Sequence, residues 1–157
     1  MKGSTVRVRH AKPADLANVE RLLSDVDLTT AGVADHFDGF IVAEDDPAIV
    51  GCAGLETYGV RGLLRSVAVR PDYRRSTIGR QLVDRALDQA RESGVRVVYL
   101  LTTTAATYFT RIGFEPIQRD QVDPVVQQSQ EFSTERCDSA TAMRLMLRPR
   151  GASNDSR

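Results

Sequence analysis

The residues whose types and spacing best suit chemistry lie in the segment 63–79, LLRSVAVRPDYRRSTIG. The apolar run 64–69 predicts a strand buried on both faces, and Pro71 ends it because proline lacks the N–H that a strand ladder needs. Apolar residues then recur at helical spacing over 78–90, and Gly94 follows as a helix stop. The first turn of such a helix offers unpaired N–H groups and the positive end of its dipole. This strand–loop–helix unit is therefore suited to binding phosphate.

The charges of the loop favour the same chemistry. Four arginines (Arg70, Arg74, Arg75 and Arg80) and one aspartate give the segment 70–80 a net charge of +3. The whole chain, with 21 basic and 21 acidic residues, is neutral. Positive charge is therefore concentrated where the helix begins. Runs of charge often only solvate a loop, so the arginines by themselves leave that alternative open.

Two motifs resemble signatures of the GCN5-related N-acetyltransferase superfamily. RRSTIG at 74–79 follows VAV and a proline, and it is similar to the acetyl-CoA signature: Arg or Gln, two residues, Gly, one residue, then Gly or Ala. Arg74 and Gly79 fit that signature, and Thr77 stands at its first glycine position. RIGF at 111–114 resembles the family's late helix-to-strand junction. The order of elements resembles the family's over about residues 5–148.

Two groups within the superfamily are the most similar. The acetyltransferase domain of bacterial N-acetylglutamate synthase also has a hydroxyl residue at the Thr77 position, and it resembles this chain in LLTT at 100–103 and a closing RxGF. The small acetyltransferases found with arsenic-resistance genes have a pattern that resembles TAGVADHFDGFIVAED, VGCAGLE, LLRSVAV and YLLTT of this chain. The resemblance implies acetyl-CoA as co-substrate and a small amino-acid-like amine as acceptor.

The resemblance also implies how acetyl-CoA is held. The fourth strand splays from the fifth, the pantetheine arm pairs with its exposed backbone, and the N–H of Val67 or Ala68 donates to the oxyanion. The pyrophosphate lies on the backbone N–H groups at the start of the helix. Because Thr77 has a Cβ, we expect its φ to be negative. The predicted cofactor-binding residues are Val67, Ala68, Val69, Arg74, Arg75, Ser76, Thr77, Ile78, Gly79, Arg80 and Phe109.

The catalytic base and acid are less clear from the sequence. Many relatives have a glutamate on the fourth strand, but no carboxylate lies there in this chain. Glu56, at the end of the third strand, is the best candidate base, and alternation places it on the face of Val50 and Cys52. The alternatives are a solvated strand-end carboxylate and an amine deprotonated through water. Phe109 stands where the family often has a tyrosine that protonates the departing thiolate. The side chain of Tyr108, one residue earlier on a helix, points about 100° away from that direction.

An amino-acid-like acceptor requires a cation for each carboxylate or phosphinate-like group. Arg65 on the fourth strand is the first choice, with Ser66 beside it. Arg136 and Ser139 lie where the synthase domain has an Arg–Lys–Ser sequence, although Arg136 is one position out of register. Thr29, in the early loop, is expected on the opposite wall of the pocket. A plain surface role is the alternative for each of these residues.

Composition argues against several other classes of protein. With 157 residues, 41% of them hydrophobic, the chain is expected to form one domain over 1–148, followed by a disordered tail at 149–157. The neutral charge argues against nucleic acid, and no apolar run approaches the roughly 18–20 residues that span a bilayer. The N-terminal region lacks the apolar core of a signal peptide, so a cytoplasmic protein is expected. Cys52, Cys137 and the two histidines show no metal-ligand spacing, so no metal is expected.

The remaining pattern predicts a mixed α/β fold. By resemblance this is the GNAT fold, a mixed, mostly antiparallel sheet of six to seven strands with a splayed central parallel pair and helices on both faces. Small residues in the third strand, including Gly54, suit close approach by a neighbour. Strands are predicted at 5–10, 40–43, 49–57, 64–69, 95–101, 114–117 and 142–147. Helical segments are predicted at 13–26, 78–94, 105–112 and 123–130.

Together with these patterns, the resemblance implies an acetyl-CoA-dependent N-acetyltransferase of a small amino-acid-like amine, acting in arsenic or antimetabolite resistance. Direct transfer in a ternary complex is expected because neither cysteine has a paired histidine that would indicate an acetyl-enzyme. Three alternatives stay open: glutamate N-acetylation in arginine synthesis, a non-catalytic acyl-CoA-binding regulatory domain, and acetylation of proteins. No membrane or nucleic-acid partner is expected, and a homodimer is possible.

Overall fold

The computed structural model describes residues 6–74, 76–133 and 140–148. The strands are β1 (Arg7–His10), β2 (Phe40–Asp45), β3 (Ala48–Tyr58), β4 (Arg61–Val69), β5 (Val97–Thr102), β6 (Glu115–Ile117) and β7 (Thr141–Met146). The helices are α1 (Leu16–Asp25), α2 (Ile78–Glu92), α3 (Ala106–Ile112) and α4 (Pro124–Gln127). Short 3-10 turns lie at Pro13–Asp15, Ala34–Gly39, Pro71–Tyr73, Arg119–Gln121 and Gln130–Ser133.

The strands form one seven-stranded sheet in the order β1–β2–β3–β4–β5–β7–β6. Every neighbouring pair is antiparallel except β4 and β5, which are parallel. That pair makes only three residue pairings, the last between Leu63 and Tyr99. β4 nevertheless continues along β3 as far as Val69, and β5 continues along β7 as far as Thr102. The sheet therefore opens into a cleft at the carboxyl ends of its two central strands.

Helices cover both faces of the sheet, as predicted. One face of α2 is apolar because its buried residues recur every three to four positions: Ile78, Leu82, Val83, Ala86, Leu87 and Ala90. These side chains pack with Ile41 and Leu64. α1 packs on the opposite face, in a cluster that includes Val42, and Val126 of α4 packs near Leu63 on that same face. The predicted mixed fold with a splayed central pair is confirmed.

A bulge in β3 changes which side chains share a face. Val50 packs in the cluster beneath α2, whereas Cys52 packs in the cluster beneath α1. The expectation that these two residues share a face is therefore wrong, because an extra residue breaks strict alternation. The close approach predicted at Gly54 is confirmed, since a Cβ there would lie 2.4 Å from Cζ of Phe40.

Most predicted elements begin and end within two residues of the observed ones. The first predicted helix starts as the 3-10 turn Pro13–Asp15 and becomes α-helical at Leu16. The polar segment predicted as a helix over 123–130 is helical only over Pro124–Gln127, because a segment with few apolar residues gains little from packing. The predicted tail at 149–157 lies outside the described residues.

Candidate active site

A cavity of about 590 Å³ occupies the cleft between β4 and β5. Its walls come from these two strands, the first turn of α2, α3 and the loop that follows α1. Concave sites of this size are typical of small-molecule binding. Eleven of the predicted site residues line it: Thr29, Arg65, Ser66, Val67, Ala68, Val69, Arg74, Ser76, Gly79, Arg80 and Phe109.

Three other predicted residues are described by the structure but do not line the cavity. Ile78 is 3% exposed and belongs to the core beneath α2. Thr77 immediately precedes that helix, and Glu56 is fully buried. Arg75, Arg136 and Ser139 lie outside the described residues, so their roles stay predictions.

A bulge in β4 sits at the cavity wall. Cys52 pairs with Ala68, but Gly54 pairs with Arg65, so β4 carries one extra residue in between. Ser66 has a φ of +58°, in the left-handed region that costs free energy for a residue with a Cβ. The bulge interrupts the ladder beside Val67. The roles predicted for the N–H groups of residues 67 and 68 stay predictions.

Side chains shape the turn that connects β4 to α2. Arg74 Nε donates to the Val69 carbonyl at 3.0 Å, which fixes this arginine against the end of the strand. The Ser76 hydroxyl donates to the Tyr73 carbonyl at 2.7 Å and accepts from the Ile78 N–H at 3.3 Å. The turn is therefore held by its own hydrogen bonds.

The first turn of α2 opens into the cavity. Gly79 and Arg80 line it, and the N–H groups of a first helical turn have no carbonyl partner inside the helix. Thr77 has a φ of −88°, which confirms the expected negative value. Its Oγ1 accepts a hydrogen bond from Gln81 Nε2 at 2.7 Å. Unpaired N–H groups and the helix dipole favour an anion at this end of the cavity.

Arg65 lines the cavity, although its side chain is fully buried. Nη1 donates to Glu56 Oε2 at 2.7 Å, and Nε donates to the Ser66 hydroxyl at 3.0 Å. Nε also lies 3.4 Å from Oε1 of Glu131. Nη2 has no hydrogen-bond partner within the described part of the chain. A buried donor without a partner costs free energy, and a guanidinium forms strong hydrogen bonds with anionic groups, so Arg65 is a candidate for binding one.

Glu56 lies next to Arg65 and is fully buried. Its carboxylate accepts hydrogen bonds from Arg65 and from the Tyr58 hydroxyl, and its Oε1 lies 3.6 Å from Nε2 of His36. Two opposing effects act on the pKa of Glu56. Burial acts to raise it, but hydrogen bonds from Tyr58, Arg65 and Ser129 together act more strongly in the other direction, so the net pKa is lowered. The alternative of a solvated strand-end carboxylate is therefore wrong. The role of Glu56 as base stays a prediction.

Glu131 is the second carboxylate beside Arg65, and it does line the cavity. It belongs to the 3-10 turn Gln130–Ser133 and is 6% exposed. Burial raises the pKa of Glu131 to about 7; Arg65 opposes this rise and the like charge of Glu56 adds to it. The sequence analysis missed this residue, because the segment around it has no periodic apolar pattern.

Two aromatic side chains of α3 complete the wall. Phe109 packs edge-on against Tyr108 and Phe114, with ring centroids 5.2 Å and 5.7 Å apart. The buried hydroxyl of Tyr108 has no hydrogen-bond partner among the residues the structure describes, and it would lie 3.5 Å from a Cβ placed on Gly79. Burial raises the pKa of Tyr108, so its hydroxyl stays a donor. Phe109 was predicted in this wall, whereas Tyr108 was not.

The described ranges 6–74, 76–133 and 140–148 offer few other groups for metal binding or nucleophilic catalysis. No cluster of three or more His, Cys, Asp or Glu side chains there is arranged to hold a metal ion. Cys52 is buried, and burial raises the pKa of its thiol to about 12, which makes it a poor nucleophile. No helix within these ranges combines the length and apolar character needed to cross a bilayer.

Sequence relatives align with more than half of this chain. Residues 9–114 match the model of the acetyltransferase (GNAT) family. The amino-acid acetyltransferase of Aeromonas salmonicida (strain A449) is 34% identical over 95 residues, and that of Edwardsiella ictaluri (strain 93-146) is 38% identical over 97 residues. These matches cover 59% and 60% of this chain and 21% of each relative. The chain thus spans about a fifth of the length of these curated relatives.

Solved structures have the same fold. N-acetylglutamate synthase from Neisseria gonorrhoeae, complexed with coenzyme A and N-acetyl-glutamate, superposes with a TM-score of 0.79 at 20% identity, over 94% of this chain and 36% of that one. Rv2747 from Mycobacterium tuberculosis, in complex with CoA and NLQ, superposes with a TM-score of 0.74 at 24% identity, over 90% of this chain and 99% of that one. The resemblance read from VAV–P–RRSTIG and RIGF is therefore confirmed, and the chain belongs to the acetyltransferase (GNAT) family.

Proposed function

We propose that the protein is an acetyl-CoA-dependent N-acetyltransferase whose acceptor is a small amino-acid-like amine. The observation that carries the proposal is one continuous cavity with an anion-binding feature in two of its walls. One is the first turn of α2, and the other is Arg65, a buried arginine that lines the cavity and whose Nη2 has no hydrogen-bond partner among the described residues. A phosphate-bearing thioester and an anionic amine can occupy such a cavity together, with their reacting groups between the two anion sites.

The cofactor half of the site, residues 66–80, provides mainly backbone groups. The N–H groups at the start of α2 suit a pyrophosphate, and Arg80 adds positive charge at the cavity wall. The β4 backbone from Ser66 to Val69 lies along the same wall and is open to the arm of the thioester, because β5 has separated from β4 at this level. This arrangement supports acetyl-CoA as the donor.

The acceptor half of the site consists of Arg65, Glu131 and the loop 27–29. A guanidinium recognises a carboxylate, phosphonate or phosphinate through directional hydrogen bonds, and burial strengthens them. The amino group of the acceptor then lies beside Arg65, within reach of a thioester bound along the β4 backbone. Relatives named amino-acid acetyltransferases support an amino acid as acceptor.

Direct transfer in a ternary complex fits the cavity. The amine nitrogen attacks the thioester carbonyl carbon, the oxyanion forms beside the backbone near Val67, and the C–S bond breaks to release the CoA thiolate. The thiolate takes up a proton that leaves the nitrogen. Cys52 is buried and protonated, so nothing supports a covalent acetyl-cysteine at that residue.

Two biological roles follow from two kinds of similarity. The curated relatives, named amino-acid acetyltransferases, support an amino acid as acceptor, and the similarity to N-acetylglutamate synthase supports glutamate. The resemblance of TAGVADHFDGFIVAED and VGCAGLE to arsenic-associated acetyltransferases supports an arsenic or phosphorus analogue of glutamate, and hence a role in resistance. A single substrate panel separates these roles.

The first experiment measures thiol release from acetyl-CoA with glutamate, other amino acids, phosphinothricin, arsinothricin and short peptides. We expect selective turnover of glutamate-like compounds. Turnover of peptides alone would contradict the small-molecule acceptor. Binding of acetyl-CoA without turnover of any amine would instead support a non-catalytic acyl-CoA-binding domain.

Arg65→Lys tests the acceptor half of the site separately from the cofactor half. Lysine keeps a positive charge beside Glu56 but lacks the planar fork, so KM for the acceptor should rise about tenfold or more while KM for acetyl-CoA stays within about twofold. Arg144→Lys is the matched control, because Arg144 pairs with exposed Glu115 on the far strands β7 and β6. An unchanged KM for the acceptor in Arg65→Lys would remove Arg65 from the site.

A further inference from the structure

We propose that Glu131 is the base of this reaction: its carboxylate receives the ammonium group of the acceptor in the cavity and takes the proton that must leave before nitrogen can attack. This inference rests on the function proposed above. It assigns to Glu131 the role predicted for Glu56 from the sequence.

The positions of the two carboxylates separate their roles. Glu56 does not line the cavity, and both Arg65 Nη1 and the Tyr58 hydroxyl donate to it. Glu131 lines the cavity, and its Oε1 lies 3.4 Å from Arg65 Nε. A base must come within hydrogen-bond reach of the proton it removes. Of these two carboxylates, Glu131 is the one that a ligand in the cavity can contact.

The electrostatic setting of Glu131 suits proton exchange near neutral pH. Its carboxyl has a pKa of about 7 because it is buried, and a base is most effective when its pKa lies near the working pH. A carboxylate with an ordinary pKa would accept a proton less readily. Within the described residues, the charged and titratable groups around the turn of Glu131 include the following: Arg65, Glu56, Tyr58, His36, Asp27, Asp35, which accepts from Gln130, and Arg119, which lies over the Phe132 ring.

Arg65 and Glu131 together match an α-amino acid. The carboxylate and ammonium groups of such an acceptor are separated by one carbon atom, and the protein offers a guanidinium and a carboxylate in direct proximity. With the acceptor's carboxylate on Arg65, its ammonium group lies next to Glu131. An amine without a neighbouring anion would lack the contact that fixes it there.

The proton balance of the step is complete. The acceptor enters as an ammonium ion and transfers one proton to Glu131, which becomes neutral. The free nitrogen pair forms the C–N bond, the carbonyl π pair moves to oxygen, and it returns as the C–S bond breaks with its electron pair on sulfur. The second departing nitrogen proton neutralises the CoA thiolate, and Glu131 then releases its proton to water.

The test is the pH dependence of kcat in Glu131→Gln, measured with the best acceptor of the panel. We expect kcat at pH 7 to fall about 100-fold or more, within the range attributed to general bases. We also expect the acidic limb of the wild-type profile, near pH 7, to disappear. The kcat of the variant should instead keep rising with pH up to the much higher pKa of the free amine, because only unprotonated acceptor reacts.

Three further variants make the test decisive. Glu131→Asp keeps a titrating carboxylate but moves it away from the cavity by one methylene. This variant should therefore retain the acidic limb of the pH profile at a reduced kcat. Glu115→Gln, the same substitution in an exposed residue, should leave kcat and its profile unchanged. Glu56→Gln distinguishes the two carboxylates: if it removes the limb while Glu131→Gln keeps it, Glu56 is the base and this inference is wrong.

Failure of this inference is distinct from failure of the proposed function. Wild-type protein that turns over amines, together with Glu131→Gln that keeps the wild-type pH profile, overturns the inference alone. Wild-type protein that binds acetyl-CoA but acetylates no amine overturns both. Thermal unfolding and calorimetric binding of acetyl-CoA show whether each variant is folded. If Glu131→Gln does not fold, Glu131→Asp decides: wild-type kcat would overturn the inference.

Discussion

The two halves of the cavity are built in different ways. The cofactor half, residues 66–80, is one continuous segment that offers backbone groups: the β4 bulge, the turn and the first turn of α2. The acceptor half offers side chains and draws them from the distant segments 27–29, 65 and 131. Its centre is a buried guanidinium between two carboxylates, Glu56 and Glu131. Backbone recognition tolerates changes of side chain, whereas a buried ionic cluster depends on each of its members.

The largest expected difference between the halves is in stability. Arg65→Ala leaves two buried carboxylates without their cation and should lower the free energy of unfolding by about 3–5 kcal/mol. Arg74→Ala in the cofactor half removes one hydrogen bond to the Val69 carbonyl and should cost about 1 kcal/mol. Urea unfolding at pH 7.5 measures both. Equal losses would contradict the comparison, because they would mean that the buried cluster is no more sensitive than the loop.

The second prediction concerns how stability depends on pH through Glu131. Its folded pKa of about 7 lies above the ordinary value of 4.5, so the folded state holds this proton more tightly. The contribution of Glu131 to the free energy of unfolding is therefore fully present below about pH 4.5 and is lost as pH rises to about 7. Relative to Glu131→Gln, which does not titrate, the wild type should lose about 3 kcal/mol over that range.

Measuring the difference between variant and wild type cancels the other titrating groups. Hydrogen bonds from Arg9 are the main cause of the lowered pKa values of Asp15 and Glu44. The stabilisation that these two carboxylates contribute is therefore lost as pH falls, whereas that of Glu131 is lost as pH rises. Unfolding of both proteins at pH 5.5, 6.5 and 7.5 measures the difference. A constant difference across this range would mean that Glu131 has an ordinary pKa.

The cofactor half was predictable from the sequence because it is local. An apolar run, a proline, a basic turn and a helical period identify β4 and α2 within a few residues, and the family signature lies in the same segment. The predicted cofactor residues line the cavity except Thr77, Ile78 and the undescribed Arg75. Ile78 could have been excluded from the sequence alone, since its spacing with Leu82 puts it on the apolar face of the helix.

The acceptor half was predictable only in part. Arg65 and Glu56 were each singled out, but not their pairing, which depends on the register of β3 and β4. Tyr58 pairs with Arg61 across a tight turn, so Leu63 lies opposite Glu56 and Arg65 becomes its diagonal neighbour on the same face. Glu131 could not be found, because a short 3-10 turn after α4 leaves no periodic signal and its burial depends on the whole fold.

A smaller effect is expected at Gly32, which covers the guanidinium of Arg65. Gly32 has a φ of +79°, and a Cβ there would lie 3.0 Å from Arg65 Nη1. Gly32→Ala should therefore cost about 1–2 kcal/mol of stability from its backbone, plus a rise in KM for the acceptor as Arg65 is displaced. Gly59→Ala is the matched control, since Gly59 has a φ of +66° with nothing within 4 Å of its Cβ position.

The difference between the two alanine variants isolates the contact with Arg65 from the strain of the backbone. We expect Gly32→Ala to lose at least as much stability as Gly59→Ala, measured by thermal unfolding, and only Gly32→Ala to change the kinetics of the acceptor. A raised KM for the acceptor in Gly59→Ala would show that the effect is global rather than local to Arg65.

The smallest effect is expected at Thr77, where the chain departs from the family's glycine. Thr77 has an ordinary negative φ and does not line the cavity, so its Cβ neither strains the turn nor occupies the cofactor half of the site. Thr77→Gly should therefore change KM for acetyl-CoA by less than about twofold and cost a few tenths of a kcal/mol. Ser76→Ala should cost more, since the Ser76 hydroxyl bridges the Tyr73 carbonyl and the Ile78 N–H. Tenfold tighter binding of acetyl-CoA by Thr77→Gly would show that the side chain at 77 obstructs the cofactor, and that this half of the site does not depend on backbone alone.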